Sequence, residues 1–337
     1  MGQFTFPTAK TLLEVEQKLL PTLTASNPIF SIFPTVPRNS HLVEWEQLDN
    51  FQGLMSPRGL DGKPPRVVQV GSKSYQMTPG VYGEHMVATE RQLTAERQWG
   101  TLNEPLNVTR LVSMFGNQLL HRQLMRKRWI GWQLLVNGIF TVTGPTGAIL
   151  HADSYSQRIY SAAVAHSTVA NSTPLQDFRN VQLLARGFSI ALDQSATAYG
   201  NRKQINYLLA NTNAADLGGK RMAGLSTVNS LNGINEILTG EGLPNIVAND
   251  DGWEDESGNF NQDIPDGYLI VVGRRVDNSP IGHWAETRNS NNPGFAPGSY
   301  LKVFENPYAV PANVEVHRGF NGGIELQYPS AIIVMKV

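Results

Sequence analysis

The side chains able to do chemistry in this chain are present but scattered. Seven histidines, His41, His85, His121, His151, His166, His283 and His317, lie far apart, and none stands at metal-ligand spacing from another. Surface or packing roles account for each. Cysteine is absent, which removes thiolate nucleophiles, disulfides and sulfur-ligated metals. There is no Gly-x-Ser-x-Gly elbow, no phosphate-cradling glycine loop closed by Lys-Ser or Lys-Thr, and no paired-histidine zinc signature. The densest carboxylates are Asp250, Asp251, Glu254, Asp255, Glu256, Asp263 and Asp266, a stretch without Lys or Arg. It lacks the alternating ligands and sixth-position glycine of a calcium loop. One contiguous run also seldom supplies the two opposed carboxyls that glycoside hydrolysis needs. A solvated turn is the plainer reading, and a β-rich hydrolase or carbohydrate-binding protein built around Trp253–Glu256 is the alternative. Asn107-Val108-Thr109 and Asn171-Ser172-Thr173 match glycosylation sequons by chance. The expectation is no enzyme: no catalytic, cofactor-binding or metal site.

Charge is more informative in its distribution than in its sum. The formal net charge is −1, yet residues 105–152 hold Arg110, Arg122, Arg126, Lys127 and Arg128 and not one Asp or Glu. With the acidic stretch 250–266, this suggests two surfaces with different tasks, or else two ordinary solvated faces. Arg126-Lys127-Arg128 has the composition of a nucleic-acid patch, although its neighbours Trp129 and Trp132 suit packing better.

The elements that must position these groups follow from periodicity. The chain has 337 residues, 41% hydrophobic and only 16% charged, with 31 Gly and 20 Pro. Two or three sub-domains rich in turns are expected. The amino terminus shows no signal segment, and no stretch reaches the ~18 apolar residues of a membrane span. A soluble, unanchored protein made in a reducing cytoplasm is expected. Residues 8–20 form an amphipathic helix capped by Thr8 and stopped by Pro21. The apolar stretch Pro28–Pro34 follows, then a strand over 41–48. Residues 51–80, rich in Gly and Pro, read as a long two-stranded excursion with strands at 66–70 and 74–77, a size that marks contact or function. A strand covers 84–93. Residues 107–138 carry the strongest helical signal, started by Asn103 or Asn107 and ended by Gly138; 32 residues would span roughly 48 Å. A hairpin over 139–151 comes next, then a helix over 173–188, a strand over 205–210 and a helix over 229–238. Strands at 246–248 and 268–273 flank the acidic loop. The end is all β: 300–304, 314–318, 324–327 and 332–337. The class is α+β with mostly antiparallel sheets.

Taken in order, these features resemble one family. They are the Thr8–Leu13 helix start with the Pro28-Ile29-Phe30 arm, and the Gly/Pro-rich hairpin ending in Met77-Thr78-Pro79-Gly80. The long helix with its cationic cluster and the Phe140–Gly144 hairpin follow. Ile264-Pro265-Asp266-Gly267 leads into Leu269–Val272, and Gln327-Tyr328-Pro329-Ser330-Ala331 precedes the last strand. No piece is specific alone; the shared order over nearly the whole length is similar to the major capsid proteins of lambda-type tailed bacteriophages. Tailed-phage capsids, encapsulins and herpesvirus capsid floors share that fold.

The resemblance implies a tailed-phage major capsid fold. Residues 1–40 would be the N-terminal arm and 50–82 the extended β-hairpin loop lying over an adjacent subunit. Residues 41–49 and 83–173 would form the peripheral domain with spine helix 107–138, 174–300 the axial domain, and 301–337 the closing strands. The function implied is structural, self-assembly into hexamers and pentamers of an icosahedral shell around double-stranded DNA. The protein would reside in the virion, and in the host cytoplasm during assembly. Non-specifically bound DNA, with scaffolding, portal and decoration proteins, would be the partners, and no membrane. An encapsulin-like shell around protein cargo is the alternative. Some relatives cross-link the extended loop through a Lys–Asn bond; Lys63 and Lys73 lie in it here, but no partner Asn can be identified. Inter-subunit contacts are expected from Phe30, Ile32 and Phe33 of the arm and from Val67, Val68, Val70 and Tyr75 of the loop. Arg122, Arg126, Lys127 and Arg128 are expected to face the lumen and its DNA. The acidic loop, repeated around each capsomer centre, would make assembly sensitive to salt.

Overall fold

The computed structural model describes residues 4–5, 8–48, 55–58, 60–66, 71–95, 106–144, 148–186, 190–211, 230–255, 257–275, 277–306 and 308–337. Its axis is the helix Thr109–Asn137, 29 residues and so about 43 Å long. Leu111, Phe115 and Leu119 recur on one face, and Ile130, Leu134 and Leu135 continue the buried surface. The helix ends where expected, on Gly138, whose φ of 68° is left-handed and donates its N–H to the Leu134 carbonyl. A side chain would be strained there, and its Cβ would meet Gln157 at 2.5 Å. The start differs from expectation: Val108 occupies the cap without a side-chain hydrogen bond.

Two five-stranded sheets flank this helix. The first is organised on one 14-residue strand, Asn313–Leu326. Along one edge it pairs antiparallel with Gly80–Ala88, along the other with Tyr300–Asn306 and then Gly282–Glu286; Thr35–Pro37 adds parallel to Gly282–Glu286. The expected break at residues 319–323 does not occur. Its glycines permit close approach instead: a side chain at Gly319 would strike the Tyr82 carbonyl, one at Gly322 the Ala285 carbonyl, and one at Gly323 would lie 2.7 Å from both Met77 Sδ and Phe140 Cζ. The second sheet runs Asn245–Ala248, Thr197–Gly200, Tyr268–Val272, Ile332–Lys336, Arg158–Ser161, parallel at both outer pairs and antiparallel inside. Its core includes Phe178, Ile205, Ile237 and Leu238 of the helices Pro174–Leu184, Arg202–Ala210 and Leu231–Gly240. Thus the strands Gly282–Glu286 and Tyr300–Asn306 belong with the long helix, whereas the last strand, Ile332–Lys336, completes the other sheet.

Several local expectations are corrected. The first helix runs Ala9–Ala25, through Pro21. Thr8 caps it by accepting from Thr11 N (3.3 Å), and in the turn after the proline Thr24 Oγ1 donates to the Leu20 carbonyl (2.8 Å). The strand beginning at Gly80 stops at Ala88. Thr89 then starts the helix Glu90–Ala95, its N–H and hydroxyl both donating to Gln92 Oε1 (3.0 Å). Residues 205–210 are helical, not a strand, because Asn201 accepts from Gln204 N at 2.9 Å and nucleates Arg202–Ala210. The hairpin Ile139–Thr143 with Ile149–Ser154 forms as expected. The expected strand over 41–48 forms too, but its antiparallel partner is Ser72–Met77, a pairing not expected when 74–77 is read inside a separate two-stranded excursion. Residues 66–70 were expected to be a strand; 67–70 lie outside the described residues.

Candidate functional site

The long helix brings its cations to acids that the sequence placed far away. Lys127 is buried and donates to Glu286 Oε1 at 2.6 Å, with Nζ also 5.2 Å from the Trp284 ring and 5.1 Å from the Phe320 ring. Burial pulls its pKa below the ordinary lysine value against the opposing pull of Glu286. Arg128 donates to the Gly252 carbonyl, reaches Asp251 at 3.6 Å and lies 3.1 Å from Asp263. Arg122 makes a bidentate pair with Glu84 (2.5 and 2.8 Å) on the surface, and that hydrogen bonding holds Glu84 below the usual carboxylate range. Arg126 is exposed, its guanidinium 5.3 Å from the Trp129 ring and 5.9 Å from the Tyr82 ring. Burial pushes the Tyr82 phenol up to about 12.

Of the four expected lumen-facing cations, then, Lys127 and Arg128 are directed at protein partners inside the fold, and Arg122 is paired on its surface. A buried ammonium or guanidinium without a counter-charge is costly, so these side chains follow the carboxylates. Arg126 remains solvent-facing.

Four carboxylates of the acidic stretch likewise meet cations of the same chain. Asp250 accepts from Arg202 N at 2.5 Å and approaches its guanidinium at 3.5 Å. Asp266 accepts from Lys203 (2.6 Å) and Asn201 (2.7 Å), and the lysine hydrogen bond lowers its pKa. Asp255 folds back on its own turn, accepting from Ser257 N and Asn259 N; Glu256 lies outside the described residues. The two charge blocks are therefore not two separated surfaces, since Arg128 of one sits between Asp251 and Asp263 of the other.

A buried polar chain that the sequence reading missed joins the first helix to the long one. Arg318 Nη1 donates to both Glu16 oxygens at 2.6 Å and its Nε to Gln123 Oε1 at 2.5 Å; Gln123 Nε2 donates to Ser299 Oγ at 2.7 Å, and Ser299 Oγ to Glu286 Oε1 at 3.4 Å. One signal was available: Glu16 falls four residues after Leu12, inside the apolar stripe of its helix. A charge there demands a buried partner.

The expected contact residues divide. Phe33 is 3% exposed, inside the core cluster with Ile29, Trp284 and Ile324, while Phe30 and Ile32 are half-buried against that cluster. This apolar segment is seated on its own subunit, because the long helix presents Gly131 directly beneath Ile29. Tyr75 belongs to a cluster of three rings, 5.9 Å from Trp45 and 6.2 Å from Tyr155, which are themselves 6.3 Å apart. Val67, Val68 and Val70 lie outside the described residues. In the loop, Met55 and Leu60 are 97% and 98% exposed, and Arg58, Lys63, Arg66 and Lys73 are exposed with them.

Among the described residues no three His, Asp or Glu side chains gather as a metal site. His166 has a relay-like arrangement, with Nε2 3.0 Å from Asp177 Oδ2 and Tyr160 donating to Asp177 Oδ1 at 2.6 Å. The imidazole is fully buried, which suits a structural hydrogen bond and denies a substrate access. A cleft of about 420 Å³ near Trp253 is lined by Glu84, Arg126, Trp129, Glu254 and Asp255. Glu84 is held by Arg122 and Asp255 by its own turn, which disfavours the hydrolase reading.

No protein-family model matches the chain, and no curated protein matches it. Solved structures do, along nearly the whole length. The protein assigned as the capsid protein of an E. coli CFT073 prophage superposes with a TM-score of 0.56 at 12% identity, covering 92% of this chain and 93% of that one. A phage-related protein of Bordetella bronchiseptica RB50 gives 0.57 at 8% identity, covering 92% and 91%. The capsid of the Myoviridae phage XM1 gives 0.53 at 11% identity, covering 92% and 91%. The chain has the tailed-phage capsid fold.

Proposed function

We propose that this chain is the shell subunit of a tailed phage, assembling into hexamers and pentamers of an icosahedral capsid around double-stranded DNA. The observation that carries the reading is the fold match spanning more than nine-tenths of both chains. It is supported by the exposure of Met55 and Leu60, two large apolar side chains left open among the described residues of the loop. A neighbouring copy would bury them, and individually weak contacts of this kind suffice when multiplied around closed rings. Residues 50–82 are then the extended loop, the long helix is the spine of the peripheral domain, and the second sheet with its three helices is the body of the axial domain. The action is structural and needs no catalysis. Arg126, with the paired Arg122 beside it, is the part of the basic helix positioned to offset phosphate charge without reading sequence. Scaffolding, portal and decoration proteins are the further partners this role admits; the site of action is the virion, reached from the host cytoplasm.

Electron microscopy and size-exclusion chromatography of the purified full-length protein test the proposal. Closed shells or capsomer rings are the expected result. A monodisperse species of 37.1 kDa at every concentration would refute it. Shells containing a protein cargo and no nuclease-protected DNA would assign the chain to the encapsulin-like alternative.

A further inference from the structure

Asp263 stands out among the buried groups. Its side chain is fully buried, and neither carboxyl oxygen has a partner in hydrogen-bond geometry; the Nε of Arg128, 3.1 Å away, is also without one. The charged groups that face it are Arg128 from the long helix and Asp251 from the strand side of the same loop. Arg128 must therefore serve two carboxylates at once. Asp251 is held besides by Asn27 Nδ2 at 2.6 Å, and Asn27 Oδ1 accepts from Trp132 Nε1 (3.3 Å) and Ile29 N (3.1 Å). Between Asp251 and Asp263 runs the two-stranded hairpin Gly252–Glu254 with Phe260–Gln262, closed at its base by Asp263 N donating to the Asp251 carbonyl at 3.0 Å. Trp253 of this hairpin meets Trp129 of the long helix edge-on at 6.4 Å. The cluster thus ties three segments together: the turn after the first helix, the long helix, and the hairpin.

We propose that this hairpin is a proton-operated latch on the long helix. With a proton on Asp263, Arg128 satisfies Asp251 alone and the hairpin stays seated. When Asp263 ionises, a carboxylate held away from water must share one guanidinium with the half-exposed Asp251, and the hairpin lifts with Trp253, loosening the hold on Asn27. Proton release to solvent balances the step, and no other reactant is needed.

The direction with pH follows from burial. Desolvation, opposed by Arg128 and reinforced by Asp251, pushes the Asp263 carboxyl up to about 7, whereas a lifted hairpin returns it to the ordinary range near ~3.9. A raised carboxyl stabilises the seated state most at low pH and loses that contribution as pH rises to the folded pKa. Opening should increase roughly tenfold per pH unit between about 4 and 7 and level off above.

Hydrogen exchange read by mass spectrometry on the full-length protein tests this, with rates corrected for intrinsic pH dependence. Peptides spanning 252–262 should open many-fold more at pH 7 than at pH 5, and Asp263→Asn should abolish that dependence. Asp251→Asn leaves Arg128 to Asp263 alone and should move the levelling-off point to lower pH. Wild-type protection that is flat from pH 5 to 8, an unchanged profile in Asp263→Asn, or an unmoved profile in Asp251→Asn would each overturn the latch. Should Asp263→Asn not fold, the wild-type and Asp251→Asn profiles still decide. None of these readouts depends on whether the protein builds shells.

Discussion

The buried pair of Glu16 and Arg318 offers the sharpest test of how the first helix is used. The two side chains are 5% and 4% exposed, and the guanidinium reaches both carboxylate oxygens at 2.6 Å. Glu16→Ala leaves Arg318 charged, buried and held by Gln123 alone, a loss expected to cost about 3–5 kcal/mol. An unfolding entropy of ~2.1 cal/mol/K per residue, over 337 residues, converts 4 kcal/mol into a fall in Tm of roughly 6 °C. Replacing both partners, as Glu16→Met with Arg318→Met, should recover most of the loss. It removes the stranded charge and leaves only Gln123 Oε1 short of a donor, about 1 kcal/mol. Scanning calorimetry of the dilute, unassembled subunit, run as a double-mutant cycle, reads these values. A single-variant cost below ~1 kcal/mol, the level of an exposed pair, would refute the reasoning: the helix Ala9–Ala25 would then not be docked on its own sheet, and its contacts would belong to another molecule.

Three further outcomes are expected. Gly323→Ala forces a methyl against Met77 and Phe140 and should cost about 1–3 kcal/mol in urea unfolding with an unchanged m-value. Replacing residues 55–66 by a short Gly-Ser turn should leave the subunit's circular dichroism and Tm intact, since Met55, Leu60 and the cations there are exposed; micrographs should show that shells no longer form. Arg126→Ala should leave thermal stability nearly unchanged while lowering the slope of log K against log salt for DNA binding by about one.

Much of the architecture was legible because it is written in local periodicity. The long helix, its Gly138 stop, the hairpin after it and the terminal strands come from spacing and turn chemistry that act within a few residues. The errors arose where a local signal was outvoted. Pro21 stays helical because the buried Leu12 and Glu16 anchor the turns before it. Residues 205–210 look like a strand until Asn201 is recognised as a cap. The glycines of 319–323 look like a break, yet they let neighbouring strands and side chains approach one continuous strand.

By itself, the sequence determined the class of the fold, the order of its main elements and the absence of cysteine chemistry. It also determined that cations collect in one stretch and carboxylates in another. Only the tertiary structure decided that Arg128 of the first meets Asp251 and Asp263 of the second, and which distant partners the other charges find. Lys127 finds Glu286 159 residues away, and Arg318 finds Glu16 302 residues away. No periodicity encodes such pairings. They follow from the cost of leaving a charge unpartnered once packing has taken it out of water, and that cost exists only when the chain has folded.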